Sequence, residues 1–111
     1  MDIHTEVIAA TAHITVEGDL TEALGLDLVG AVTSLPEGVD RLELRMGECD
    51  VDDAIGVIEA INAIRHALRR GVPVTLFEAP HILAHDLYRV NLLSIGSGLT
   101  LVEPRQEVPY G

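Results

Sequence analysis

Four carboxylates fall within six residues, at Glu48, Asp50, Asp52 and Asp53, in the stretch ECDVDDAIGV. Acids this close could do general acid–base work or hold a hard cation such as Mg²⁺ or Ca²⁺. Their spacing is not that of a calcium loop, and strand alternation would send Glu48, Asp50 and Asp52 to one side. A structural assignment makes Asp52 or Asp53 the N-cap of a helix, with the other acids favoured by its positive end. Each such contribution is about 0.5–1 kcal/mol. A third assignment is contact with a partner.

The other candidates are sparser. His81 and His85 stand four residues apart in a helical stretch and could share a metal. Asp86 lies about 100° round the helix from His85, and HILAH lacks the glutamate of the zinc-protease pattern. His4, His13 and His66 are scattered. Cys49 sits among acids, which raise a thiol pKa, and reads as a small buried apolar residue. Ser34, Ser94 and Ser97 have no triad context, and GSG at 96–98 is too short for a phosphate cradle. Lysine is absent, which removes Schiff-base and phosphate-loop lysine chemistry. We therefore expect no enzyme activity, no bound metal and no cofactor.

The chain has 111 residues, which predicts one domain. A hydrophobic fraction of 48% supports a packed core, and 3% aromatics makes that core aliphatic. A net charge of −11, with all seven basic residues arginine, repels phosphate backbones and anionic lipid heads. Nucleic-acid binding and direct membrane insertion are not expected, and no stretch of eighteen apolar residues occurs. One cysteine excludes an internal disulfide, and the N-terminus has no secretory pattern, so a cytoplasmic location is expected.

The elements that must position these residues follow from periodicity. TEVIAA and AHITVEG read as two short strands, the second ended by Gly18-Asp19, and they are expected to pair antiparallel at one edge. Leu20, Leu24, Leu28 and Val32 form the apolar stripe of a helix, with Asp19 or Thr21 as its cap. VDRLELRM is a strand with Val39, Leu42, Leu44 and Met46 inward and Arg41, Glu43 and Arg45 outward. DDAIGVIEAINAIRHALRRG is a helix with Val57, Ile61, Ile64 and Leu68 on one face, arginines at its end and Gly71 as its stop. VPVTLFEAP is a continuous apolar strand, expected to be covered on both or most of its faces. PHILAHDLYRVNLL is a third helix with Ile82, Leu83, Leu87, Val90 and Leu93 inside, and LTLVEP is the last strand. The order β-β-α-β-α-β-α-β predicts an α/β domain with a mixed, mostly parallel sheet, an antiparallel N-terminal edge and about three helices. Edge pairing by the first strand would make a homodimer.

From about Ala12 to Pro104 this order and these residues resemble the STAS domain, typified by bacterial anti-sigma-factor antagonists. ITVEGDLT resembles the family's strand and Gly-Glu/Asp-Leu turn. LELRMGECDVDDAIGVIEAINAIRHALRRGVPVTLFEAP resembles its central strand, loop, helix and following strand. The resemblance implies a STAS-like domain over 1–104, with 105–111 a frayed tail. The family's motif at the start of the central helix is Asp-Ser-Ser-Gly-Leu or Asp-Ser-Thr-Gly, and a partner kinase phosphorylates its second hydroxyl residue. The matching stretch is Asp53-Ala54-Ile55-Gly56-Val57. Asp53 and Gly56 keep the pattern, Ala54 replaces the first hydroxyl residue and Ile55 the phosphoacceptor. Arg45 stands where the family usually has an aspartate.

Ile55 has no oxygen to phosphorylate, so the usual release by added charge is closed at this position. The resemblance therefore implies a non-enzymatic binding module with an anti-sigma or serine-kinase-like protein partner. The surface expected to carry it is Asp50, Asp52, Asp53, Ala54, Ile55, Gly56 and Ile58, an apolar centre with a charged rim. Ile55 packing inward is the structural alternative. Two other functions stay open: a STAS subunit of a membrane transporter or lipid-transport ATPase, and a metal-binding or enzymatic domain using the acids with His81 and His85.

Overall fold

The computed structural model describes residues 2–51, 53–94 and 96–102. Asp52 and the expected tail at 105–111 lie outside the described residues. Strand β1 (Ile3–Ile8) pairs antiparallel with β2 (Thr11–Leu20) through a two-residue turn. Ala9 and Ala10, expected as strand, form that turn at φ of 49° and 68°. Two consecutive residues at positive φ make the type I′ geometry that matches the twist of a hairpin, and alanine is a poor residue for it. Replacing the pair by Ala9→Asn with Ala10→Gly is expected to raise stability by about 1 kcal/mol in urea unfolding; a lowered midpoint would contradict this turn geometry.

Strand β2 does not stop at Gly18. That glycine sits at φ +102° inside the strand, and pairing with β3 (Arg41–Val51) carries the chain on to Leu20. Helix α1 (Glu22–Thr33) is capped by Thr21, whose hydroxyl accepts from the Leu24 N–H at 3.2 Å. Helix α2 (Ala54–Arg69) leads to β4 (Val74–Phe77), α3 (His81–Arg89) and β5 (Leu99–Val102). The five strands lie in chain order, parallel except for β1 against β2. This is the expected fold class: one α/β domain with a mixed, mostly parallel sheet and three helices.

The register aligns buried side chains in rows across the sheet. Ala12, Leu42, Val74 and Leu99 make one row; Ile14, Leu44 and Leu76 make the next, with Leu101 partly buried. On these rows pack Leu24, Leu28 and Val32 of α1, Val57, Ile61 and Ile64 of α2, and Leu83 and Leu87 of α3. Ile82 and Val90, expected inside, are 49% and 39% exposed. Leu83 and Leu87 take the inward line of a short helix. Ile82 is turned 100° away from Leu83, and Val90 lies past the last turn as the C-cap.

The opposite face of the sheet carries His13, Thr15, Glu43, Arg45, Thr75 and Phe77, all half-buried. Arg45 donates to Glu43 Oε1 at 2.8 Å, and its guanidinium lies 4.6 Å from the Phe77 ring centroid. His13 Nδ1 is 3.5 Å from the same carboxylate oxygen. Strand β4 is therefore covered fully on one face only, contrary to the expectation from its apolar run. Its alternation is weak in sequence because Phe77 is apolar while serving as the platform for an arginine. Among the described residues no helix is long and apolar enough to cross a membrane.

Candidate functional site

The acidic stretch begins on a bulge. Thr15 pairs with Arg45, but Glu17 pairs with Glu48, so β3 spends one more residue than β2 between these points. The extra residue reverses the strand's alternation. Met46 faces the core before the bulge, and Cys49, fully buried, faces it afterwards. Gly47 lies within the bulge, beneath the carboxylate of exposed Glu78.

Beyond the bulge Glu48 and Asp50 are exposed and sit beside Glu17 and Asp19 of β2 in parallel register. Four carboxylates thus share the open face at the end of the sheet. Glu48 and Asp50 are candidate site residues from sequence, whereas Asp19 is expected there only as a possible helix cap and Glu17 only as a strand residue. The signal lies in the period-two spacing of Glu17 and Asp19, and a strand stop at Gly18 conceals it. No group of three histidine, cysteine, aspartate or glutamate side chains that could hold a metal occurs among the described residues. His81 and His85 are exposed on α3.

Asp53 is the N-cap of α2. Its extended backbone and its Oδ1, which accepts the Gly56 N–H at 2.8 Å, satisfy one of the helix's unpaired donors. Gly56 is buried where α2 meets the end of β2 and α1. A Cβ on it would overlap the Leu20 carbonyl oxygen and fall 2.8 Å from the Thr21 oxygen. From the α1 side, a Cβ on Gly25 would lie 3.0 Å from the Gly56 oxygen and 2.7 Å from Glu59 Cβ. Buried Ala60, Ala63 and Ala67 continue the line of small residues along α2.

Locked in this way, the first turns of α2 bury Val57 and turn Ala54, Ile55 and Ile58 outward. Ala54 is exposed, Ile55 is 50% exposed and Ile58 is 55% exposed. The two isoleucines are three residues apart and so neighbours on the helix surface. Ile55 therefore does not pack inward. The expected surface divides in two: Ala54, Ile55 and Ile58 lie on the helix layer with Asp53 at its cap, and Asp50 lies on the open face of the sheet. Gly56 supports the surface from beneath.

No family model matches the chain, and no curated protein matches it in sequence. Solved structures do match it in shape. A sulfate transporter family protein from Wolinella succinogenes is similar at TM-score 0.67 and 19% identity, over 88% of this chain and 81% of that one. The STAS domain of an antisigma-factor antagonist from Rhodobacter sphaeroides is similar at TM-score 0.57 and 22% identity, over 67% and 82%. The murine anion transporter solute carrier 26 family member A9, in its inward-facing state, is similar at TM-score 0.63 and 13% identity. There the match covers 89% of this chain but 17% of the transporter. At these identities the likeness establishes a STAS-like fold.

Proposed function

We propose that this chain is a non-enzymatic protein-docking module that receives a regulatory partner on the first turns of α2. Ala54, Ile55 and Ile58 form the apolar contact and Asp53 the polar edge. The observation that carries this reading is the exposure of two branched apolar side chains on a helix whose other isoleucines are buried. Full burial of an isoleucine is favourable by about 1.5–3 kcal/mol, and roughly half of that is still available at each position. The acids Glu17, Asp19, Glu48 and Asp50 give the neighbouring sheet end a negative field, which favours a partner with basic groups at its rim.

The partner class is an anti-sigma factor of the serine-kinase type. By the family resemblance Ile55 occupies the phosphoacceptor position, so the complex formed here is not released by phosphorylation at that residue. Purified kinase-type anti-sigma factor is expected to bind the chain equally with and without ATP. Ile55→Arg with Ile58→Arg is expected to weaken binding roughly 30-fold or more, about 2 kcal/mol at a central contact. Titration calorimetry on partner and chain reads both results, and undiminished affinity of the double variant would remove α2 as the docking site. The likeness to two transporter proteins supports a second reading, a module resident in a transporter. Cross-linking and capture that return a transporter polypeptide rather than a sigma regulator would favour it.

A further inference from the structure

Strand β1 forms one edge of the sheet, and from His4 to Ile8 it is exposed. Its pairing with β2 fixes which of its backbone groups point outward. Glu17 N–H donates to the Asp2 carbonyl at 2.8 Å, and the hydrogen-bonded positions then alternate through His4, Glu6 and Ile8. Ile3, Thr5 and Val7 aim their N–H and C=O groups away from the sheet. This edge carries no lysine, proline or bulge to discourage another strand.

We infer that β1 pairs antiparallel with β1 of a second copy of this chain, centred on Thr5, to make a continuous ten-stranded sheet. A two-fold axis normal to the sheet keeps side chains on their own faces, so only registers centred on a residue are open to it. Centring on Thr5 sets Ile3 opposite Val7 of the second copy, Thr5 opposite Thr5, and Val7 opposite Ile3. All three pairs are hydrogen-bonded, which gives about six backbone bonds. On the other face His4 lies opposite Glu6 of the second copy, twice, at the closer non-hydrogen-bonded spacing. An imidazole N–H and a carboxylate are complementary there.

The neighbouring registers are worse. Centring on Glu6 sets the two Glu6 carboxylates against each other, and centring on His4 sets Asp2 against Glu6. Each also keeps only two of the three hydrogen-bonded pairs. On the helix side an open trough of about 520 Å³, lined by Ile3, Thr5, Gly30 and Ala31 among others, lies between β1 and α1. In the Thr5-centred register Val7 of the second copy, 44% exposed in the single chain, comes beside Ile3 at the rim of this trough.

Sedimentation velocity across a wide range of loading concentrations tests the pairing, and a charge exchange tests its register. The chain is expected to dimerise reversibly. His4→Glu is expected to weaken the dimer roughly tenfold, because like charges then meet twice across the axis. Adding Glu6→Lys to His4→Glu is expected to restore it, since each new lysine then faces a new glutamate. Thr5→Cys is expected to give a covalent dimer with a short bis-maleimide cross-linker, because the two hydrogen-bonded Thr5 positions lie about 5.5 Å apart at Cα across the axis. Cys49 is fully buried, and the unsubstituted chain is the control. These positions are exposed or at the edge, and far-ultraviolet circular dichroism checks that each variant folds. A monomer at every concentration, or a dimer that ignores His4→Glu and fails to cross-link through Thr5→Cys, would overturn the inference. Because the variants leave Ile55 and Ile58 intact, neither outcome bears on partner docking by α2.

Discussion

Gly56→Val is expected to destabilise the domain by about 3 kcal/mol, lowering the melting temperature by roughly 10–20 °C. Gly56 is a helical residue, so propensity alone argues the other way: leaving glycine for alanine within a helix gains about 1 kcal/mol. Sterics decide the sign. The first carbon of any side chain meets backbone atoms of Leu20 and Thr21, which belong to the end of β2 and the cap of α1 and cannot rotate aside. To admit it, α2 must move off both elements, and the 2.8 Å bond from the Gly56 N–H to Asp53 must be strained. Gly56→Ala is therefore expected to destabilise as well, by about 1–2 kcal/mol. Both variants should also disturb the placement of Ile55 and Ile58 on the surface. Urea unfolding of the two variants measures the effect; a Gly56→Ala protein more stable than the parent would show that this contact does not constrain α2.

The second large effect separates the two faces of the sheet. Leu76→Ala is expected to cost about 3 kcal/mol, with loss of the buried side chain compounded by the cavity it leaves. Leu76 is fully buried and lies in the row with Leu44 and Leu101. Phe77→Ala removes more atoms, and in a closed core would cost about 3–5 kcal/mol. Here it is expected to cost only about 1–2 kcal/mol, because the ring is half-buried on the open face and loses chiefly its contact with the Arg45 guanidinium. Paired denaturation curves test this order. If Phe77→Ala proved the more damaging, a second covering layer on that face would have to be sought.

Much of this layout is legible in local spacing. The stripe Leu24, Leu28, Val32 needs only a helical period to be assigned inward, and all three are buried. Local spacing narrows the caps to Asp19 or Thr21 and to Asp52 or Asp53, because a capping side chain acts within three residues of its own position; the structure uses Thr21 and Asp53. Nothing in two alanines announces the left-handed turn at Ala9 and Ala10; the turn is imposed by the pairing of the strands on either side. The continuation of β2 through Gly18 is hidden in the sequence for a related reason. A glycine reads locally as a stop, while the hydrogen bonds that carry the strand onward come from β3, some thirty residues away in sequence.

The candidate site divides along the same line. Residue types and local spacing suffice for the order of strands and helices, for a cap at Asp52 or Asp53, and for a side chain without a hydroxyl at position 55. These depend on residue type and near neighbours. Packing between distant segments turns Ile55 and Ile58 outward, makes Gly56 the point where three elements touch, and sets Glu48 and Asp50 beside Glu17 and Asp19. Periodicity gives the angle between side chains but not which side a neighbouring layer will cover. The packing of α1 against α2, and the one-residue bulge in β3, settle that through contacts between segments far apart in the chain.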